Sequence, residues 1–149
     1  MTATVLVLSG PNLNLLGQRQ PAVYGAGSLG DHVAAARRAG EGLGLVVEDL
    51  QSNSEAEMVD AIQAARGRCA AIVINPGAFT HYAWAISDAL AAFDGIVVEL
   101  HVSNPNAREP WRHTSVVAPV ADGMVAGFGG LGYELALVGV ARMLEERGR

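Results

Sequence analysis

Not one of the 149 residues is a lysine; all ten basic side chains are arginine. A codon bias that also favours Ala and Gly accounts for the skew, but the chemical consequence holds whatever its origin. No side-chain amine is available for a Schiff base, a P-loop phosphate contact or a pyridoxal cofactor. Cysteine is nearly absent as well. Cys69 stands alone, which excludes an internal disulfide and suits a reducing cytoplasm, and no Cys/His cluster has the ligand spacing of a zinc site, so no metal is expected. Charged residues make up only 17% of the chain and sum to −5, with no block of arginines able to track phosphates, so nucleic acid is not an expected partner. Long apolar runs are missing too. Nothing approaches the roughly 20 residues that span a bilayer, and no basic stretch followed by an apolar one opens the sequence. Neither membrane insertion nor export is expected.

What is present is 50% hydrophobic, enough for a sizeable core in one domain over residues 1–149. An apolar run over residues 5–8 leads into Gly10-Pro11-Asn12, and glycine or proline at Gly10, Pro11, Gly17, Pro21 and Gly25 forbids a continuous helix through the loop that follows. Ser28 with Asp31 has the capping-box pattern and opens a helix reaching Gly44, with Leu29, Val33, Ala36, Gly40 and Leu43 at helical spacing. Residues 45–50 read as a strand. Ser54 with Glu57 reads as a second capping box, ahead of a helix that turns Met58, Ile62 and Ala65 inward. Residues 70–74 form a third strand, Thr80 to about Phe93 a helix with Ala85, Ala89 and Phe93 toward the core, and residues 96–101 a fourth strand. A short fifth strand over 124–127 and a closing helix over 132–146 complete the chain. The glycines between these two lie after the last strand and have no lysine beside them, so they read as tight packing rather than a phosphate loop. Nearly uniform apolar strands alternating with helices predict an α/β, flavodoxin-like doubly wound sheet of five parallel strands in the order 2-1-3-4-5.

The polar residues collect after strand ends: Asn12, Arg19 and Tyr24 after the first, Asn75 and His81 after the third, and His101, Ser103, Arg108 and Arg112 after the fourth. In the predicted order the first and third strands meet at the switch point beyond which ligands bind, so one pocket is expected. Glu99 and His101, two apart in a strand, share a face on which the carboxylate can orient and charge the imidazole. An isolated Glu-x-His also describes a core histidine satisfied by a structural glutamate; the strand-end position beside Ser103 and Arg112 favours catalysis. Tyr24 can serve as a base only with cations near it, because a free phenol ionises at about pH 10. Arg19 and Arg108 are the candidates, and a ring packed at the pocket edge is the other reading. His81, at a helix start, suits a cap or a ligand contact equally. His32 is expected on an exposed helix face without a role, and His113 is unassigned.

Taken together, several runs resemble type II 3-dehydroquinate dehydratase: Gly10-Pro11-Asn12-Leu13-Asn14-Leu15-Leu16-Gly17, Arg19-x-Pro21-x-x-Tyr24-Gly25, Gln51-Ser52-Asn53-Ser54-Glu55, Asn75-Pro76-Gly77-Ala78-Phe79-Thr80-His81, and Glu99-x-His101-x-Ser103-Asn104 with Ala107-Arg108-Glu109 and Arg112. They stand in family order over nearly the whole chain. The resemblance implies a flavodoxin-like fold and a cofactor-free dehydration of 3-dehydroquinate to 3-dehydroshikimate, usually in a dodecamer of four trimers. It implies Tyr24 as the base tuned by Arg19 and Arg108, Asn12 stabilising the enolate through a water, and His101 as the acid held by Glu99. Asn75, His81, Val102, Ser103 and Arg112 would bind the substrate's hydroxyls and carboxylate, and Asp88 would reach a neighbouring subunit's site. Ser9, Gln20, Ser87 and Asn106 depart from the family pattern, none at a position given a chemical step. The reaction serves shikimate biosynthesis and quinate breakdown alike. Without a lysine, the ketone cannot be activated as a side-chain iminium. The N-terminal amine is expected at the amino edge of the sheet, away from the pocket, which leaves direct stabilisation of the enolate. The rival readings are a flavodoxin-like nucleotide- or flavin-binding module and an inactive relative kept for assembly.

Overall fold

The computed structural model describes residues 2–148. Strand β1 (Ala3–Ser9) lies between β2 (Leu45–Gln51) and β3 (Ala71–Asn75), and β4 (Ile96–His101) and β5 (Gly123–Ala126) extend the sheet beyond β3. All four pairings are parallel, so the order is 2-1-3-4-5 and the fold is flavodoxin-like α/β, as expected. The one-turn helix α1 (Pro21–Tyr24) sits in the first loop, followed in chain order by α2 (Leu29–Gly42), α3 (Glu55–Ala65), α4 (Trp84–Ala91) and α5 (Leu131–Glu146). Alternation along the strands divides the core into two layers. Val5, Val7, Val73, Val98 and Leu100 pack under α2 and α5, while Leu6, Leu8, Ile72, Ile74 and Val97 pack under α3 and α4. Both faces are covered, which is why the inner strands carry apolar residues at successive positions. No helix among the described residues is long and apolar enough to cross a membrane.

Register brings the carboxyl ends level. Ser9 pairs with Gln51 on one side and Asn75 on the other, and β4 ends at His101 opposite Ala126. The loops leaving β1, β3 and β4 therefore start on one rim. β1 opens at Ala3, at the opposite rim; the N-terminal amine itself lies outside the described residues.

Several local expectations shift. The helix expected from Thr80 to about Phe93 is split into a 3-10 turn over Gly77–His81 and the shorter α4. The Thr80 carbonyl accepts from the Val116 N–H at 2.7 Å instead of continuing a helical ladder. Because α4 begins late, its inner stripe is Ala83, Ile86, Leu90 and Phe93; Ala89 is buried as expected, but Ala85 is exposed. Ser28 and Asp31 form the complete capping box, whereas Ser54 accepts from Glu57 N–H at 3.2 Å while its own N–H goes to Ser52 Oγ at 2.9 Å, so the second box stays half-made. Helix α2 ends at Gly42, which leaves Leu43 exposed. His32 is not on an open face: it is half-buried and stacks on Tyr133, with ring centroids 5.9 Å apart. The glycine run before α5 is tight packing, since a Cβ on Gly130 would lie 2.0 Å from the His32 ring and one on Gly132 would lie 2.7 Å from Leu100.

Gly10 joins the two central loops. Its N–H donates to Asn75 O at 2.8 Å, and an added Cβ would come within 2.5 Å of the Pro76 carbonyl oxygen. Backbone cannot rotate away as a side chain can. Gly10→Ala should cost about 1–3 kcal/mol, the usual range for overpacking. Gly139→Ala, exposed within α5 and with open space at its Cβ, should gain about 0.5–1 kcal/mol. Urea midpoints of the two variants should move in opposite directions.

Candidate active site

The rim formed by those three loops encloses a cavity of about 150 Å³ lined by Asn12, Arg19, Tyr24, Asn75, His81, His101, Val102, Ser103, Arg108 and Arg112, together with Pro11, Leu13, Gly77, Ala78, Pro105 and Trp111. Ten of the twelve residues expected at the site thus face one space. Glu99 lies behind His101, with no exposure of its own, and Asp88 is exposed on α4 away from the cavity. At this size the cavity suits a compact metabolite, well under the roughly 300–1,000 Å³ of drug-sized ligand sites.

The first loop reaches the cavity by two constrained turns. Asn12 adopts φ +69, a left-handed conformation that asparagine tolerates better than most residues. Its N–H donates to Asn53 Oδ1 at 3.0 Å, and Gln51 Nε2 braces the same turn by donating to Gly10 O at 3.1 Å and to Asn53 Oδ1 at 3.2 Å. The Gln51-Ser52-Asn53 run at the end of β2 is thereby explained: it shapes the neighbouring loop. Proline at the start of α1 then turns the chain inward and buries Tyr24.

Tyr24 is the meeting point of two cations. Arg108 Nη1 donates to the phenol oxygen at 2.8 Å and to Ser103 Oγ at 3.2 Å. The guanidinium carbons of Arg19 and Arg108 lie 4.8 and 5.1 Å from the ring centroid. Two positive charges thus lie over the Tyr24 ring, one of them also on its hydroxyl oxygen.

His101 and Glu99 point to the same side of β4. Nε2 of His101 meets Glu99 Oε2 at 2.5 Å. Burial pushes the Glu99 carboxyl up, but hydrogen bonds from His101, Thr80 and Ser115, with the charge of His101, outweigh it and hold the group below the usual carboxylate range. The carboxylate is therefore a fixed negative charge inside the sheet.

The remaining walls are set by the loops after β3 and β4. Asn75 gives one amide hydrogen to Tyr133 Oη at 3.4 Å and accepts from Gly77 N–H at 3.3 Å, which fixes its amide orientation. Burial pushes the Tyr133 phenol up, against the hydrogen bonds from Ser9 and Asn75, so it remains a neutral hydroxyl. His81 donates from Nδ1 to Thr114 O at 2.7 Å and meets the Trp111 ring edge-on at 5.3 Å. Arg112 stacks on Trp111 at 4.0 Å and is tied to Glu109 at 2.7 Å, and His113 donates to Arg108 O at 3.1 Å. Sequence reasoning left out Thr80 and Ser115 around Glu99, Trp111 as a wall, and Tyr133 behind Asn75. Thr80 had a signal in its place next to His81; Ser115 had none.

The Dehydroquinase class II family model matches residues 3–141. Over 147 residues the chain is 50% identical to "3-dehydroquinate dehydratase 2" of Pseudomonas putida, covering 99% of both chains. It is 52% identical over 145 residues to the protein of the same name in Pseudomonas aeruginosa, covering 97% of this chain and 98% of that one. A crystal structure of type II dehydroquinase from Propionibacterium acnes superposes with a TM-score of 0.91 at 44% identity, over 95% of this chain and 98% of that one. With the sheet order, the cavity and these matches in agreement, the chain belongs to the class II dehydroquinase family.

Proposed function

We propose that this chain dehydrates 3-dehydroquinate to 3-dehydroshikimate in the cavity described, as a single catalytic domain over residues 1–149 that uses neither a Schiff base nor a metal. The observation that carries this reading is that one space holds a phenol hydroxyl beneath two guanidinium groups and an imidazole backed by a buried carboxylate. These are a base and an acid, each with its own charge partner. Tyr24, as phenolate, takes the proton alpha to the ketone, and Arg19 and Arg108 offset its charge. Asn12, through a bound water, stabilises the enolate oxygen. His101 then protonates the departing beta-hydroxyl, and water leaves as the ring becomes an enone. Over one turnover Tyr24 gains a proton and His101 loses one, so a proton passes back between them through solvent before the next cycle. Asn75, His81, Val102, Ser103 and Arg112 hold the substrate's hydroxyls and carboxylate.

The same reading places the enzyme in the cytoplasm, consistent with its single unpaired and buried cysteine. It also makes the enzyme a dodecamer of four trimers. That assembly is supported by the exposed Phe128, Leu131, Leu135 and Val138, and by Asp88, which faces outward from α4 and is free to meet a neighbouring subunit's site.

Purified protein given 3-dehydroquinate should develop enone absorbance; a protein that folds and leaves the substrate unchanged defeats the reading. Tyr24→Phe keeps the ring but removes the oxygen, and turnover should fall by about 10²–10⁴, the usual contribution of acid–base catalysis, with an unchanged unfolding midpoint. Borohydride added during turnover should attach no substrate mass to the protein, since the sequence has no side-chain amine to trap. A reduced adduct in the mass spectrum would replace the enolate route with an imine. Glu99 makes a pH prediction. Its carboxyl lies low in the folded state, so its contribution to stability is complete above the ordinary carboxylate pKa and is lost as pH falls through the lowered value. The stability gap between the native chain and Glu99→Gln, followed by denaturant unfolding, should therefore narrow on acidification; a gap that widens would contradict the ionised carboxylate.

A further inference from the structure

Glu99 is surrounded by more donors than orienting a histidine requires. Thr80 Oγ1 donates to Oε2 at 2.6 Å, and Ser115 Oγ approaches Oε1 at 2.9 Å and Oε2 at 3.0 Å, besides the 2.5 Å contact with His101 Nε2. The directions can be assigned by counting. A serine hydroxyl has one proton and two lone pairs. Both lone pairs of Ser115 are engaged, by Val117 N–H at 3.1 Å and Ala118 N–H at 2.9 Å, so it must donate; of the two acceptors in reach, the neutral Thr80 Oγ1 at 2.8 Å and the Glu99 carboxylate at 2.9 and 3.0 Å, the charged one is the stronger and takes the proton. The contact of 2.8 Å between Thr80 and Ser115 then leaves Thr80 no lone pair on Ser115 to address, and its proton also goes to Glu99. Three donors converge on a side chain with no solvent exposure.

We propose that Thr80 and Ser115 are positioning residues for the dehydration: their hydroxyls hold Glu99 as an acceptor only, which pins His101 through Nε2–H and leaves Nδ1 as the nitrogen that delivers the proton. A carboxylate saturated with donors cannot draw the imidazole proton onto itself, so Nε2 stays a donor throughout the cycle. Nδ1 is the nitrogen turned away from Glu99, on a ring that lines the cavity. The backbone locks the arrangement. Val116 N–H donates to Thr80 O and His81 Nδ1 to Thr114 O, both at 2.7 Å, so residues 114–118 are docked on the turn that carries Thr80. Among the described residues, the other charged or titratable side chains that line a second cavity with Glu99 and His101 are Arg112 and His113. Neither Thr80 nor Ser115 lines the catalytic cavity, so they act through Glu99 and His101.

This rests on His101 being the acid, and kinetics on four variants separates the two claims. Thr80→Val and Ser115→Ala should each lower kcat about tenfold or more, the scale of a lost hydrogen bond to a charged group. KM should stay within about twofold, because no substrate contact is removed. The acid limb of the kcat profile should move to higher pH, since a carboxylate with fewer donors is protonated more easily. Thr80→Ser, which keeps the hydroxyl, should restore both kcat and the limb. Unchanged kcat and profile in Thr80→Val and Ser115→Ala, a rise in KM in place of a fall in kcat, or a Thr80→Ser variant as impaired as Thr80→Val would each overturn the proposal. Should Thr80→Val fail to fold, Ser115→Ala and Thr80→Ser decide the matter by the same criteria. His101→Ala completes the set: full turnover there removes the acid assignment itself, whereas an inactive His101→Ala beside unaffected Thr80 and Ser115 variants removes only the positioning role.

Discussion

A negative charge with no solvent exposure sits in the middle of a hydrophobic sheet, and much of this molecule can be understood as what Glu99 requires. Its neighbours along β4 are Val97, Val98 and Leu100, all buried, so an unpaired carboxylate here would be intolerable. The chain supplies one partner from the same strand, one from the turn after β3 and one from a loop 16 residues further on. Each donor ties a separate segment to the strand end. The hydrogen bonds that make the charge tolerable therefore also assemble the wall of the cavity, and stability and site geometry share one set of contacts.

The proposed base is held on the opposite principle. Tyr24 does not lie on the sheet but on a one-turn helix inside a loop shaped by glycine, proline and a left-handed asparagine. Its position comes from Arg19 in its own loop and Arg108 in the facing one. His101 and Glu99 are fixed by the core, and Tyr24 is fixed by charge. Gly10 connects the two arrangements, because its close approach to Pro76 sets how near the β1 loop comes to the β3 loop. Asn12 and Asn75 can both face the cavity only at that separation.

The elements that sequence alone revealed were those governed by a period. Five strands, their order and the inward residues of α2 and α3 follow from alternation and helical spacing, and the strand-end polar residues follow from the topology. Where long-range hydrogen bonds take precedence over local pattern, the reading slipped. The stretch from Thr80 looks helical by spacing, yet Thr80 directs its carbonyl to Val116 and its hydroxyl to Glu99, and the late start of α4 turns Ala85 to solvent. The second capping box stayed half-made because Ser52 offered Ser54 another partner. The sequence pattern puts His32 on an open face because glycine at position 130, just before a helix distant in sequence, is what opens space for its ring. Ser115 carries no signal, since a serine between Thr114 and Val116 acquires meaning only from the carboxylate it meets across 16 residues.

The absence of lysine fits the way charge is used in the cavity. An ammonium is a compact point charge on a flexible stem, whereas a guanidinium offers several donors in a fixed plane. Arg108 uses one nitrogen to reach both Tyr24 Oη and Ser103 Oγ while its plane lies near the phenol ring, and Arg112 stacks on Trp111 while holding Glu109. Each lies over an aromatic ring and makes directional hydrogen bonds at once. A phenol that resides on a loop needs partners that fix its orientation as well as supply charge, and of the two side chains only arginine does both. Whatever its origin in codon usage, an all-arginine chain gives the loop-borne half of the site a rigidity that the sheet gives to Glu99 and His101.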